Sequence, residues 1–224
     1  MSIFIDALPA FLDGVRVTLL LLAASILGGA LLSLPLGLAR ASARPWLRGP
    51  AMAYTFVIRG TPLLVQLFMI YFGLAQFAWV RDSLAWPLLR SAWFCAWLAL
   101  TLNTAAYTAE ILAGALRAVP RGEVEAARSL GLSRAAVLRH VVLPAGLRRA
   151  LPQYGNEVVQ MLHATALAST VTLVEITRVA RDVYANTFRT TEAFGTAAIL
   201  YGALTAAIVY GFRALERRYL RHLA

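Results

Sequence analysis

Polar side chains recur on one face of an apolar stretch in the middle of the chain. Asn103, Tyr107 and Glu110 fall within an arc of about 60° if this stretch is a helix. An ionisable group in such a stretch is costly, and it is usually retained because it binds an ion or solute or pairs with another charge. Glu110 is therefore either a binding group for a cation or the ion-pair partner of an Arg such as Arg117 or Arg149.

A second polar stripe lies further along the chain. Glu157, Gln160 and His163 share one face of a stretch that is otherwise apolar as far as residue 174. Glu157 raises the same two alternatives as the first carboxylate, binding of a cation or pairing with an Arg. For His163, and for Gln66 in an earlier stretch, a structural hydrogen bond between helices is favoured over a binding role. All seven side chains are candidates for the lining of a pathway for a polar solute.

The composition is that of a membrane protein. Of the 224 residues, 60% are hydrophobic and only 14% are charged, against roughly 25% charged in soluble domains. All 21 basic residues are Arg, and a P-loop ATPase requires a Lys, so that class is excluded. Cys95 is the single cysteine and the three His lie far apart, so we expect no intrachain disulfide, metal site or cofactor. We also expect no catalytic residue.

Five charge-poor stretches are long enough to cross a hydrocarbon core of roughly 30 Å as helices. They are residues 17–39, 60–80, 91–109, 158–174 and 193–212, the third continuing to about Leu116. The fourth carries the polar stripe, so we expect the other helices to shield it. The prediction is an all-α integral membrane protein with five transmembrane helices.

The distribution of Arg predicts the orientation, because cytoplasmic segments carry the excess of positive charge. With the N-terminus outside, fifteen Arg fall on the cytoplasmic side, among them Arg40, Arg59 and Arg221, and six fall outside. This favours an external N-terminus and a cytoplasmic C-terminus. The net charge of +10 is then explained by topology rather than by nucleic acid binding.

Small residues recur at every fourth position on two of the stretches, a spacing that lets helix backbones approach closely. They are Ser25, Gly29, Ser33 and Gly37 on the first stretch, and Ala198, Gly202 and Ala206 on the fifth. Each stripe is a candidate helix contact, and a chance repeat in an Ala-rich chain is the alternative.

The segment 119–144 has the pattern of two short helices joined by a turn. The first follows Pro120, and Gly131 is suited to end it in the left-handed conformation. Ser133 can cap the second helix, which Pro144 is expected to stop. Because helices this short are marginal on their own, we predict that the segment docks on a partner.

The run EAARSLGLSRAAVLRHVVLP, residues 125–144, resembles the EAA motif of bacterial ABC importer permeases, with Val141 where Ile is usual. In that family this loop inserts into a groove on the ATPase subunit. The resemblance implies that the loop couples ATP hydrolysis to transport. The coupling residues so implied are Glu125, Ala126, Ala127, Gly131, Leu143 and Pro144.

Other runs narrow the resemblance. RGTPLLVQ at residues 59–66 and NTAAYTAEI at 103–111 resemble polar amino acid permeases. NEVV at 156–159 is similar to permeases for arginine, histidine, lysine, ornithine and octopine. The resemblance covers roughly residues 12–220 and implies one transmembrane domain of the type I importer class. It also implies the family's partners: an ABC ATPase dimer that binds ATP and Mg, a second permease subunit and an extracytoplasmic amino-acid-binding protein.

One departure bears on the second permease. Several amino acid permeases of the family carry a Lys-Asp pair where this chain has His163-Ala164. This subunit could therefore lack a complete intramembrane site, which favours a paralogous partner over an identical copy.

The resemblance thus implies a permease subunit of an ATP-driven importer for polar, cationic amino acids in the bacterial inner membrane. A self-contained secondary transporter or channel is one alternative, which the absence of an inverted repeat disfavours. An export or assembly scaffold whose polar residues are only structural is the other.

Overall fold

A computed structural model describes the backbone of residues 2–219 and the side chains of residues 7–219. Within these ranges the chain is entirely helical, in agreement with the predicted all-α class. The α-helices are α1 Ser2–Ala41, α2 Pro45–Gly60, α3 Leu63–Phe68, α4 Ala78–Arg81, α5 Trp86–Leu89, α6 Ala92–Arg117, α7 Arg121–Ser129, α8 Arg134–Val137, α9 Leu143–Ala164, α10 Ile176–Thr187 and α11 Thr190–Tyr219. Arg221 and His222 lie outside the described residues.

The helix α6 lies at the centre of the bundle. It begins at Ser91, whose hydroxyl accepts a hydrogen bond from the Phe94 amide. It packs on α1, α2 and α9, and more than half of its residues are buried. The indole N–H of Trp97 donates to the Ala24 carbonyl of α1 at 3.0 Å, and the Tyr54 hydroxyl of α2 donates to the Leu102 carbonyl at 2.7 Å. Its polar side chains are therefore covered by neighbouring helices.

The small-residue stripe on α1 is a real helix contact. Ser25 and Ser33 are buried against α6. A Cβ added at Gly29 would overlap the side chain of Thr104, and one added at Gly37 would lie 2.9 Å from Leu112 Cβ. The absence of side chains at these glycines is what allows the two backbones to approach.

The corresponding stripe on α11 packs against no other helix of the described chain. Ala198, Gly202 and Ala206 are exposed, and no heavy atom lies within 4 Å of a Cβ added at Gly202. Within the described subunit, the alternative of a chance repeat therefore holds for this stripe. The α11 face that packs is instead the one carrying Ala193 and Ala197.

The predicted second stretch, 60–80, misses a helix. Residues 45–60 already form α2, so Arg48 and Arg59 lie within a helix rather than in a loop. The chain then bends by 100° at Thr61-Pro62 before α3 and two short helical turns that reach Gln76. Hydropathy obscured α2 because its two Arg interrupt the apolar pattern.

The predicted fourth stretch, 158–174, was also misplaced. The helix α9 begins at Leu143, well before residue 158, and passes into a 3-10 turn over Thr165–Val171. Pro144 does not stop the second loop helix: α8 continues through a π-helical segment, Leu138–Val142, into α9. The π segment changes the backbone hydrogen-bond register just before Pro144, a residue that has no amide donor.

By length and composition, two helices of the described chain could cross a membrane, within Ala7–Ala41 and Thr190–Tyr219. The number rises to four if each of two bent pairs is one span. The predicted first stretch, 17–39, lies within Ala7–Ala41, and the predicted fifth, 193–212, lies within Thr190–Tyr219. The central helix α6 has 26 residues, and its buried polar side chains lower its mean hydropathy.

We predict that Gly29→Ala destabilises the protein, whereas Gly211→Ala stabilises it slightly. Overpacking against Thr104 costs roughly 1–3 kcal/mol, while Ala gains about 1 kcal/mol over Gly within a helix. Gly211 has open space around it, so there only the second effect applies. Thermal unfolding of the two purified variants in the same detergent checks this. Equal melting temperatures would refute the tight α1–α6 contact.

Candidate functional site

Two adjoining cavities open between α2, α6 and α9. Their volumes are about 610 Å³ and 530 Å³. The side chains that line both are Arg59, Tyr107, Glu157 and Gln160. Because these residues are shared, the two cavities form one polar groove through the middle of the subunit.

The groove brings together five of the seven candidate residues. Asn103 lines the smaller cavity and Glu110 the larger, and Tyr107, Glu157 and Gln160 line both. The remaining two lie elsewhere. Helical spacing in the sequence therefore correctly predicted that most of these side chains share a face that lines one groove.

Glu110 is held by an ion pair. Arg40 Nε donates to Glu110 Oε1 at 2.6 Å, and the Thr55 hydroxyl donates to the same oxygen at 2.7 Å. The carboxylate thus joins α1, α2 and α6. The pairing alternative for Glu110 is therefore confirmed, but its partner is Arg40 rather than Arg117 or Arg149, and Arg149 lies 3.6 Å from Glu123, at the loop.

Glu157 has no such partner. Its side chain is buried, with 8% of the residue exposed. No Arg, Lys or His of the described side chains lies within 4 Å of its carboxylate. A buried carboxylate that faces a groove and lacks a cation is suited to binding one.

Gln66 stabilises the break between α2 and α3. Its side-chain amide donates to the Ile58 carbonyl at 2.7 Å, and to the carbonyl and hydroxyl of Thr61 at 3.1 and 2.7 Å. The bend leaves the last carbonyls of α2 without helical partners, and this amide satisfies two acceptors at the break. Gln66 lines neither cavity of the groove.

His163 also lies away from the groove. Its Nε2 is 3.1 Å from the Thr205 hydroxyl on α11, and its ring lies edge-on to Tyr201. The side chain therefore connects α9 to α11 through a hydrogen bond between helices, the role that the sequence favoured for it.

Sequence reasoning missed two charged residues in the bundle. Arg59 lies over the ring of Tyr107, with Cζ 5.0 Å from the ring centroid. Glu175 is fully buried, caps α10 through the amides of Thr177 and Arg178, and accepts a 2.7 Å hydrogen bond from the Tyr201 hydroxyl. Their positions in the sequence could have identified them, since Arg59 directly precedes the Gly-Thr-Pro break and Glu175 directly precedes α10.

The segment 119–144 has the turn that the sequence predicted. Gly131 has φ of +81°, and the Ser133 hydroxyl accepts from the Ala136 amide. Leu130 projects from the turn with 82% of its surface exposed.

The coupling candidates of this segment differ in exposure. Glu125, Ala126 and Gly131 are exposed. Ala127 is buried within the chain, and Leu143 and Pro144 are half-buried at the start of α9. Of the two alanines, only Ala126 therefore presents its side chain to a partner.

Comparison with known proteins identifies the family. A family model described as "Binding-protein-dependent transport system inner membrane component" matches residues 29–221. The chain belongs to this family. It is 49% identical over 192 residues to the octopine transport system permease protein of Rhizobium meliloti, covering 86% of this chain and 78% of that protein. It is 45% identical over 212 residues to the histidine/lysine/arginine/ornithine transport system permease protein of Salmonella typhimurium, covering 94% and 90%.

Solved structures of ABC transporters share the fold of this family member. A crystal structure of an amino acid ABC transporter with histidines has a TM-score of 0.86 and 34% identity, covering 96% of both chains. The inward-facing MetNI methionine ABC transporter, at 19% identity and a TM-score of 0.77, shows the same fold over 95% of this chain and 97% of that one. The ABC amino acid permease family expected from the sequence motifs is confirmed.

We predict that Glu110→Gln destabilises the permease by roughly 2–4 kcal/mol, because it leaves the mostly buried Arg40 without its carboxylate. The double variant Arg40→Gln/Glu110→Gln is expected to recover most of this loss, since no uncompensated charge remains. Thermal unfolding of the single and double variants measures both effects.

Transport by the stable double variant then separates two roles. Uptake at the wild-type rate means that Glu110 only joins helices. Lost uptake at a recovered melting temperature would contradict a purely structural role.

Proposed function

We propose that this chain is the permease subunit of an ATP-driven importer that moves cationic amino acids across the bacterial inner membrane. Two relatives are named for octopine and for histidine, lysine, arginine and ornithine transport, which supports this substrate class. The observation that carries the proposal is the state of Glu157, a buried carboxylate without a cationic partner on the wall of a polar groove.

Two other carboxylates of the bundle, the half-buried Glu110 and the buried Glu175, support this assignment by contrast. Glu110 is neutralised by Arg40, and Glu175 is satisfied by two amides and a tyrosine hydroxyl. Each contributes to the fold and has little capacity left for a ligand. Glu157 is the carboxylate that a substrate ammonium or guanidinium group can neutralise, with Asn103, Tyr107 and Gln160 as neighbouring polar groups.

Five spans fit this function. The proposed spans are α1, the bent α2–α3 pair, α6, the bent α9–α10 pair and α11. The length of α6, 26 residues or about 39 Å, is sufficient for a bilayer, and its polar side chains do not face lipid. The excess of Arg around segment 119–144 supports a cytoplasmic position for that segment, with the N-terminus outside.

The proposed partners follow from the family. They are an ABC ATPase dimer, a second permease subunit and an extracytoplasmic amino-acid-binding protein. ATP and Mg belong to the ATPase, since this chain has no Lys for a phosphate-binding loop. A paralogue is the favoured second permease, because the position of the family's Lys-Asp pair holds His163-Ala164 here.

The segment 119–144 is proposed to couple the ATPase to the groove. Glu125, Ala126 and Gly131 are exposed around a turn from which Leu130 projects, a surface suited to docking. From Arg134 the chain continues as one helical segment to Val171, passing Glu157 about 35 Å along its length. In this proposal, the continuous helical segment from Arg134 to Val171 transmits a displacement of the loop to the groove.

We predict that Glu157→Gln lowers the affinity of the reconstituted importer for arginine at least about tenfold, because a charge-assisted hydrogen bond of roughly 1.5–3 kcal/mol is lost. Binding of labelled arginine to the purified complex measures the effect. Glu192→Gln, which changes an exposed carboxylate in the first turn of α11, is the matched control and should leave arginine affinity unchanged. Unchanged affinity in Glu157→Gln would remove the proposed substrate contact.

We predict that Gly131→Val abolishes stimulation of the ATPase by loaded binding protein, whereas Gly122→Val preserves it. A β-branched residue is strongly disfavoured at the left-handed φ of +81°, while Gly122 lies in the first turn of α7 with open space around it. ATP hydrolysis by complexes reconstituted in liposomes gives the readout, with membrane insertion checked in parallel. Normal stimulation in Gly131→Val would contradict coupling through this turn.

A further inference from the structure

Arg59 differs from the other Arg side chains around the groove in having no carboxylate partner. Arg40 is paired with Glu110, and Arg149 lies 3.6 Å from Glu123. Among the described side chains, no carboxylate lies within 4 Å of the Arg59 guanidinium, which instead lies over the ring of Tyr107. Arg59 therefore forms no salt bridge with any described side chain of the subunit.

The position of Arg59 suits it to bind an anion. A cation–π contact with the Tyr107 ring uses none of the guanidinium N–H groups as donors to another polar atom, so they stay available for hydrogen bonds. The edge of a guanidinium matches the two oxygens of a carboxylate. Arg59 lines both cavities of the groove and a third of about 420 Å³, and the adjacent Gly60 has open space around it. A small ligand therefore has room to reach the guanidinium.

Glu157 lies on the walls of the same two cavities. The groove thus presents a guanidinium and a carboxylate that form no salt bridge with each other or with another described side chain. A cationic amino acid carries an α-carboxylate and positively charged amino and side-chain groups. Charge complementarity with the wall then requires the substrate carboxylate to face Arg59 and a positive group to face Glu157.

We infer that Arg59 binds the α-carboxylate of the transported amino acid and makes that carboxylate a requirement for binding. The inference rests on the proposed function and adds the recognition of the main-chain group to that of the cationic group. It also assigns a selectivity. A cationic amine that lacks the carboxylate, such as agmatine in place of arginine, meets an uncompensated positive charge and binds more weakly.

The test compares two ligands on the same complex. The chain, its partner permease and the ATPase are reconstituted in nanodiscs without binding protein, and labelled arginine is displaced by unlabelled arginine or agmatine. Wild type should prefer arginine. Arg59→Met should lower arginine affinity at least about tenfold and leave agmatine affinity unchanged or higher, while Arg59→Lys should retain part of the preference because it keeps the charge. Arg149→Met removes a paired Arg from the same groove and should leave the ratio of the two affinities unaltered.

The outcomes separate this inference from the function on which it rests. ATP hydrolysis and arginine import with binding protein are measured on the same preparations. An importing complex whose arginine-to-agmatine ratio is the same in wild type and Arg59→Met overturns the role of Arg59 alone. The role of Arg59 is also overturned if the complex imports arginine with binding protein but does not bind arginine in its absence. A wild-type complex that neither imports nor binds amino acids overturns the proposed function, and the role of Arg59 with it.

Discussion

The cost of burying a charge organises this subunit. A carboxylate removed from water must find a cation or several hydrogen-bond donors, or it destabilises the fold. Arg40, Thr55 and Glu110 meet this requirement where α1, α2 and α6 converge. Glu175 meets it differently, with the first amides of α10 and a hydroxyl from α11. The first solution fixes the relative position of α1, α2 and α6 beside the groove, and the second joins α10 to α11.

A break between two helices also places a charged side chain, Arg59, on the wall of the groove. A straight helix through Thr61-Pro62 would need an amide donor that Pro lacks, and the chain bends by 100° instead. Gln66 then donates to carbonyls that the bend leaves open, so the break is satisfied internally rather than by water. Arg59 and Gly60 are the last two residues of α2, directly before this bend, and Arg59 lies over the ring of Tyr107. The irregular backbone at residues 60–62 therefore lines a cavity.

Local features of the fold could be predicted from the sequence, and features that depend on distant parts of the chain could not. Gly131 and Ser133 were correctly assigned, because a left-handed turn and a helix cap depend on a few neighbouring residues. The partner of Glu110 was not, because Arg40 is 70 residues away and no periodicity connects them. The helix α2 was missed because hydropathy treats Arg59 as a loop residue, although the structure gives its charge a cavity to face.

Pro144 shows how a local rule misplaced the end of a helix. A helix stopped there would separate the loop 119–144 from the groove by a flexible joint, and motion of the loop would be lost at that joint. The π-helical segment Leu138–Val142 instead carries the chain past Pro144 without interruption. Because a packed helix transmits a rigid displacement rather than absorbing it, movement at Gly131 must also move Glu157 or bend the helix between them. The π segment is the point of least regular hydrogen bonding in that helical segment. In the proposed coupling, a displacement of the loop therefore either shifts α9 as a whole or bends the helix at residues 138–142.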